Sequence, residues 1–242
     1  MQGIFAKKEE KSRARNLCKT AKRRSLRRDI DKSPRMRYNK VHPLIRERPN
    51  YMKISSLFRH FALVARHRHK VLIHCAKCGI LWRGLVHDLS KFSPAEFFES
   101  AAFFQGNRSP IHACREERGF SLAWLHHKGR NKHHPEYWLD ADCKVQPLMP
   151  YPYAVECVCD KLAATKTYAG ENYRPDMPLL HWRRYGSRVD CNPRTKRFIE
   201  TVFLDLIERG EKFVLNRRYM RETYDRVCLS PSGEEQAQEE EV

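Results

Sequence analysis

The chain has 242 residues, 41% hydrophobic and 31% charged, with 47 Lys and Arg against 29 Asp and Glu for a formal charge of +18. That length and apolar fraction fit one good-sized core with tails and exclude a wholly disordered, collagen-like or coiled-coil chain. No apolar run approaches the roughly 18 residues of a membrane-spanning helix, and no secretory leader pattern opens the chain, so the expectation is a soluble cytoplasmic protein with no membrane partner.

Residues 1–50 hold 17 basic against 5 acidic side chains, the last ten residues hold five Glu and no base, and residues 51–232 keep a net charge of +11. The N-terminal extension, residues 1–51, is too poor in large apolar residues to offset its ordering entropy, and it reads as a disordered arm that could contact nucleic acid. The basic middle favours anionic partners such as nucleotides or phosphorylated metabolites. Nine cysteines, an odd number in a chain too large to need stapling, read as reduced thiols.

From Ile54 to Cys78 a helical pattern runs through Leu57, Phe61, Val64, Ala65, Val71, Leu72 and Cys75, and Gly79 supplies the stop. A second helix is predicted over Ile80–Lys91. Ser93-Pro94-Ala95-Glu96 reads as a capping box, Ser at the N-cap and Glu at the third helical position, opening a helix to about Phe104. Ser109-Pro110 starts another helix, ended by Gly119, and Ser121 precedes a fifth that Gly129 loosens.

After a linker at Pro147–Pro152, a helix is predicted over Tyr153–Ala169, an irregular stretch over 171–191, and a last strong helix from Asn192-Pro193 to Gly210 with a stripe of Ile199, Val202, Phe203, Leu206 and Ile207. No stretch alternates with period two. The expected fold is all-α: one domain over 52–229, with an acidic disordered tail over 230–242.

The chemistry centres on His87-Asp88 in GLVHDLSK. Adjacent helical residues diverge by about 100°, so both reach one ion only where a helix points end-on at a site. His67 lies upstream, His127, His133 and His134 lie downstream, and Asp160 sits mid-helix among apolar neighbours, where a carboxylate needs a partner or a metal. Carboxylates with several imidazoles suit Mn, Fe, Zn or Mg rather than a thiolate-selected ion. Cys75-x-x-Cys78 has zinc-type spacing, but with no second pair, and on the apolar side of its helix, it reads as core.

The ordered set His67, His87-Asp88 and Asp160, with HDLSK at residues 87–91, resembles the HD-domain superfamily of metal-dependent phosphohydrolases. HRHKVLIHCAKCG is similar to that superfamily's first helix, in which a ligand His precedes Val by four residues. More closely, residues 52–209 resemble an uncharacterised bacterial and phage family with the patterns HK-x-x-V, G-x-x-HDLSKF-[ST]-P-x-EF, AW-x-x-H-x-x-x-N-x-HH and MP-x-x-Y. Members of that family sometimes carry the label catalase, although nothing in this chain reads as a haem ligand.

The resemblance implies one or two divalent ions held by His67, His87, Asp88 and Asp160, with His127 and His133 or His134 as further ligands and His60, a heptad before His67, as an alternative first ligand. It also implies hydrolysis of a phosphate ester by activated water. Asp88 would bridge or act as general base, Lys91 would contact phosphate, Lys128, Arg130 and Lys132 would wall the substrate site, and Asn131 and Glu156 would orient ligand imidazoles. Two other functions fit the sequence: a non-catalytic, histidine-rich nucleic-acid-binding protein, and an HD-like metal protein with oxidative chemistry.

Overall fold

The computed structural model describes residues 54–186 and 188–230. The basic arm and all but the first residue of the acidic tail lie outside them. The described chain is all helical, with no strand among the described residues: α1 (Ile54–Lys77), α2 (Leu81–Val86), α3 (Pro94–Ala102), α4 (Pro110–Arg118), α5 (Leu122–Arg130), α6 (Tyr151–Ala169), α7 (Met177–His181), α8 (Pro193–Arg209), α9 (Glu211–Val214) and α10 (Arg217–Tyr224). None of these helices is long and apolar enough to cross a membrane.

Helix α6 is the axis of the domain, and every residue from Ala154 to Asp160 is buried. A helix apolar all round must be covered on every side. Here α1 and α2 cover one flank and α8 and α10 the other. Four of the five predicted stripe residues of α8, Ile199, Val202, Phe203 and Leu206, are buried together with Phe198, whereas Ile207 is exposed, and Asn192 caps the helix by accepting from the Arg194 amide at 3.0 Å. Each such Leu, Ile or Phe contributes about 1.5–3 kcal/mol by leaving water.

Four expectations are corrected. The buried face of α1 is His60, Val64, His67, Val71, His74 and Cys75, while Phe61 and Ala65 are exposed, because three histidines take places that the apolar pattern gave to others. The stretch 171–191 is not irregular: α7 and a π-helical turn over Trp182–Gly186 bury Leu179 and Trp182 in the main core. Helix continues beyond Gly210, and Met220, Tyr224, Val227 and Cys228 complete the core. Ser93 occupies the N-cap of α3 but its side chain caps nothing, since Glu96 turns inward to other partners.

Candidate metal centre

The predicted helix over 80–91 breaks in the middle, and the break makes the site. Helix α2 ends at Val86, His87 turns to extended backbone, and Asp88 takes a left-handed conformation with φ of 52°. That region costs most L-residues about 1–2 kcal/mol and is tolerated best by Gly, Asn and Asp. Arg68 of α1 holds the break, its Nε donating to the His87 carbonyl at 2.8 Å and its Nη2 to the Leu85 carbonyl at 2.9 Å. The kink lets the side chains of two adjacent residues converge.

Two sets of four donors meet there, and Asp88 belongs to both. The first is His67, His87, Asp88 and Asp160; the second is Asp88, His127, His133 and His134; within each set the donor atoms lie within 4.8 Å of one another. Asp88 Oδ2 faces His87 Nε2 at 3.2 Å and His67 Nε2 at 4.0 Å. Its Oδ1 faces His127 Nε2 at 3.4 Å and His133 Nε2 at 3.5 Å. Asp160 Oδ1 closes the first set, 3.0 Å from His67 Nε2 and 3.5 Å from His87 Nε2.

Behind the imidazoles stand two buried glutamates. Glu156 Oε1 lies 3.0 Å from His87 Nδ1 and 3.1 Å from His133 Nδ1, while its Oε2 accepts from Arg83 Nε at 2.7 Å. Glu96 Oε2 accepts from His127 Nδ1 at 2.7 Å. An ionised carboxylate only accepts, so the contacts to His87 and His127 place a ring proton on Nδ1 and turn Nε2 to the centre, the orientation in which a deprotonated Nε2 can serve a metal. Asn131 adds a third support, donating from Nδ2 to the His127 carbonyl and to Ser90 Oγ, each at 2.8 Å.

The residues fit a cation. Asp88 Oδ1 and the Nε2 of His133 are buried without a hydrogen-bond partner, a cost of about 1–3 kcal/mol each. Lys91 Nζ, 2.7 Å from Asp88 Oδ2, donates to that oxygen as a charge-assisted hydrogen bond and leaves Oδ1 open. His127 Nε2 and His134 Nε2 approach to 2.9 Å and those of His87 and His67 to 3.4 Å, so donor lone pairs crowd one space. Four buried carboxylates (Asp88, Glu96, Glu156 and Asp160) gather around the centre, with Lys91 paired to Asp88 and Arg83 to Glu156.

The titration of these groups follows from their neighbours. Burial alone would raise the carboxylates, but the charges of His87, Lys91 and His127 hold Asp88 well below its ordinary range. Hydrogen bonds from His67 and His87 do the same for Asp160, and those of His133 and His87 bring Glu156 down to about 2. Burial lowers His67 and His134, the latter well below the ordinary value with help from His133 and His127. His87 runs against its burial and is raised well above the ordinary value by Asp88, Asp160 and Glu156.

Other predicted residues stand apart. His60 does not join the converging donors: it is buried between Phe97 and Phe104, at ring distances of 5.3 and 5.6 Å, two turns before His67. Lys128 is half-buried and Arg130 exposed at the end of α5, and Lys132 sits over the rings of Tyr137 and Tyr153 at 5.6 and 5.8 Å. Cys75 and Cys78 are wholly buried in the apolar core, Cys78 3.9 Å from Cys159. Glu96 was missed at the sequence level because a Glu three residues after Ser reads as a cap; the adjacent pair His126-His127 was the signal of another use.

Comparison with curated proteins and with solved structures gives no match. Residues 56–205, which contain all seven converging side chains, match the Family of unknown function (DUF5662), and the chain belongs to that family.

Proposed function

We propose that this protein is a metal-dependent phosphohydrolase of the HD type, acting on a nucleotide or another small phosphorylated compound. The observation that carries the reading is Asp88, buried and shared, with one oxygen turned to each of two histidine-rich donor sets. His67, His87, Asp88 and Asp160 would hold one divalent ion, and Asp88, His127, His133 and His134 a second, with Mn, Fe, Zn or Mg matching imidazole and carboxylate donors. A divalent ion in such a site polarises a phosphoryl oxygen and makes water nucleophilic near neutral pH.

The protein's own part is binding, orientation and charge. Lys91, whose side chain is 27% exposed beside the buried Asp88, is placed to neutralise an anionic substrate as it reaches the centre. Lys128, Arg130 and Lys132 add positive field along the following segment, in keeping with the basic chain. Glu156 keeps imidazoles in ligand orientation, and Asn131 braces the backbone of His127.

Metal content of purified, tag-free protein, measured by elemental mass spectrometry beside a His87→Ala/Asp88→Ala variant, tests the first half. About one or two equivalents of ion in the wild type and none in the variant are expected. No ion after reconstitution overturns the reading. A panel of nucleotides and small phosphate esters tests the second half: no phosphate released by metal-loaded protein sinks the hydrolase and leaves the metal site standing.

A further inference from the structure

We propose that Glu96 is a positioning residue which sets the affinity of the second donor set, Asp88, His127, His133 and His134, and leaves the first set untouched. The inference rests on the metal reading above and goes beyond it by assigning α3 control over one ion and not the other.

Glu96 belongs to none of the converging donor groups, yet it is 2% exposed. A carboxylate near a helix N-terminus gains enough from solvent and the helix dipole, so burying it costs several kcal/mol that a capping role does not return. Its partners account for the burial. Oε2 accepts from His127 Nδ1 and Oε1 from His126 Nδ1, both at 2.7 Å. One carboxylate thus grips two consecutive histidines of α5, and the grip fixes the ring of His127 with Nε2 turned toward Asp88 Oδ1, 3.4 Å away.

A second glutamate on the same face of α3 fixes the other end of α5. Glu99, one turn after Glu96, accepts at Oε1 from Ser121 Oγ at 2.6 Å and from the Ala123 amide at 3.0 Å, at the start of α5. Helix α5 is therefore seated at two points, and only Glu96 touches a ligand. Glu156 provides the contrast, since it backs His87 of the first set and His133 of the second. Loss of Glu156 should disturb both ions and loss of Glu96 one.

The test is a titration of Co(II) into metal-free full-length protein, followed by visible absorption, with stoichiometry from elemental analysis and folding checked by circular dichroism and melting. Wild type is expected to take two equivalents. Glu96→Ala should keep the first ion at wild-type affinity and bind the second about 10–100-fold more weakly, the usual cost of losing an outer partner of a ligand. Glu156→Gln should weaken both. Glu99→Gln, which loosens α5 without touching a ligand, should leave the second ion within about twofold, a comparison that separates positioning from mere destabilisation.

A wild type that takes fewer than two ions overturns the two-ion reading and this inference with it. A wild type with two ions and a Glu96→Ala protein with the same two at the same affinities overturns only the role of Glu96. Equal weakening by Glu96→Ala and Glu99→Gln also overturns it. Where Glu96→Ala does not fold, Glu96→Gln decides by the same criteria, with a several-fold loss at the second ion expected, because an amide cannot accept from both histidines.

Discussion

Helices α1 and α6 meet along two buried stretches held by opposite means. On one, Val71 and Cys75 of α1 and Cys78 just after it pack against Val158, Cys159 and Leu162, and each is at most 1% exposed. The contacts are dispersion and apolar area, complete with protein atoms alone. Burial pushes the Cys159 thiol well above its ordinary value, so it stays a protonated core residue rather than a thiolate ligand. On the other stretch His67 meets Asp160, the very next residue of α6, within a group of donors whose lone pairs face one another. Both stretches are buried, and donor chemistry distinguishes a finished core from one whose side chains could hold a cation.

Breaking the polar stretch should give the largest effect. Asp88→Asn keeps a residue that tolerates the left-handed backbone but removes the shared charge, so metal binding should fall at least about 100-fold at both sets while the helical circular dichroism is kept. Retention of both ions in that variant would show that Asp88 is not shared. On the apolar stretch, Cys78→Ala with Cys159→Ala leaves a small cavity and should cost about 1–3 kcal/mol, a fall of several degrees in Tm, with metal content unchanged. Loss of ion from this double variant would merge the two stretches into one site.

The smallest effect sharpens the contrast within α1 itself, between His67 in the site and His60 outside it. Burial and the charge of Lys91 lower His60 to about 4 from an ordinary 6.5. Between those values the unfolded chain takes up a proton that the folded protein refuses, so stability falls as pH drops from about 6.5 to 4, by up to about 1.4 kcal/mol per pH unit. In His60→Leu that contribution is gone. Melting of the metal-free protein from pH 7 to 4.5 should show a shallower acid loss than wild type, and the variant should bind metal as before. A steeper slope, or lost metal, would return His60 to the site.

Much of this was legible in the residues. Most of the α8 stripe and its Asn192 cap follow spacing rules that tertiary contacts reinforce, and the seven converging side chains were picked out by their motifs and by an acid placed where apolar residues belong. What escaped had a physical reason in each case. Periodicity counts His as polar, so the buried face of α1 was assigned too far round. HDLSK continues a helical pattern, and the non-helical His87 and left-handed Asp88 stop it. Ser-x-x-Glu satisfies a local capping rule that the histidines of α5 outbid.

The union of His67 with Asp160 has a bearing on how the chain reaches its native state. These side chains lie 3.0 Å apart although more than ninety residues separate them along the chain. Long-range closures of this kind come late, after local helices have formed, because the loop entropy must first be overcome. The first donor set therefore does not exist until α1 has docked on α6, and an ion captured there would act as a lock on a finished molecule rather than as a seed for folding. Mass action would then hold the assembled form in place, by about 2.7 kcal/mol when free ion stands at a hundred times its dissociation constant.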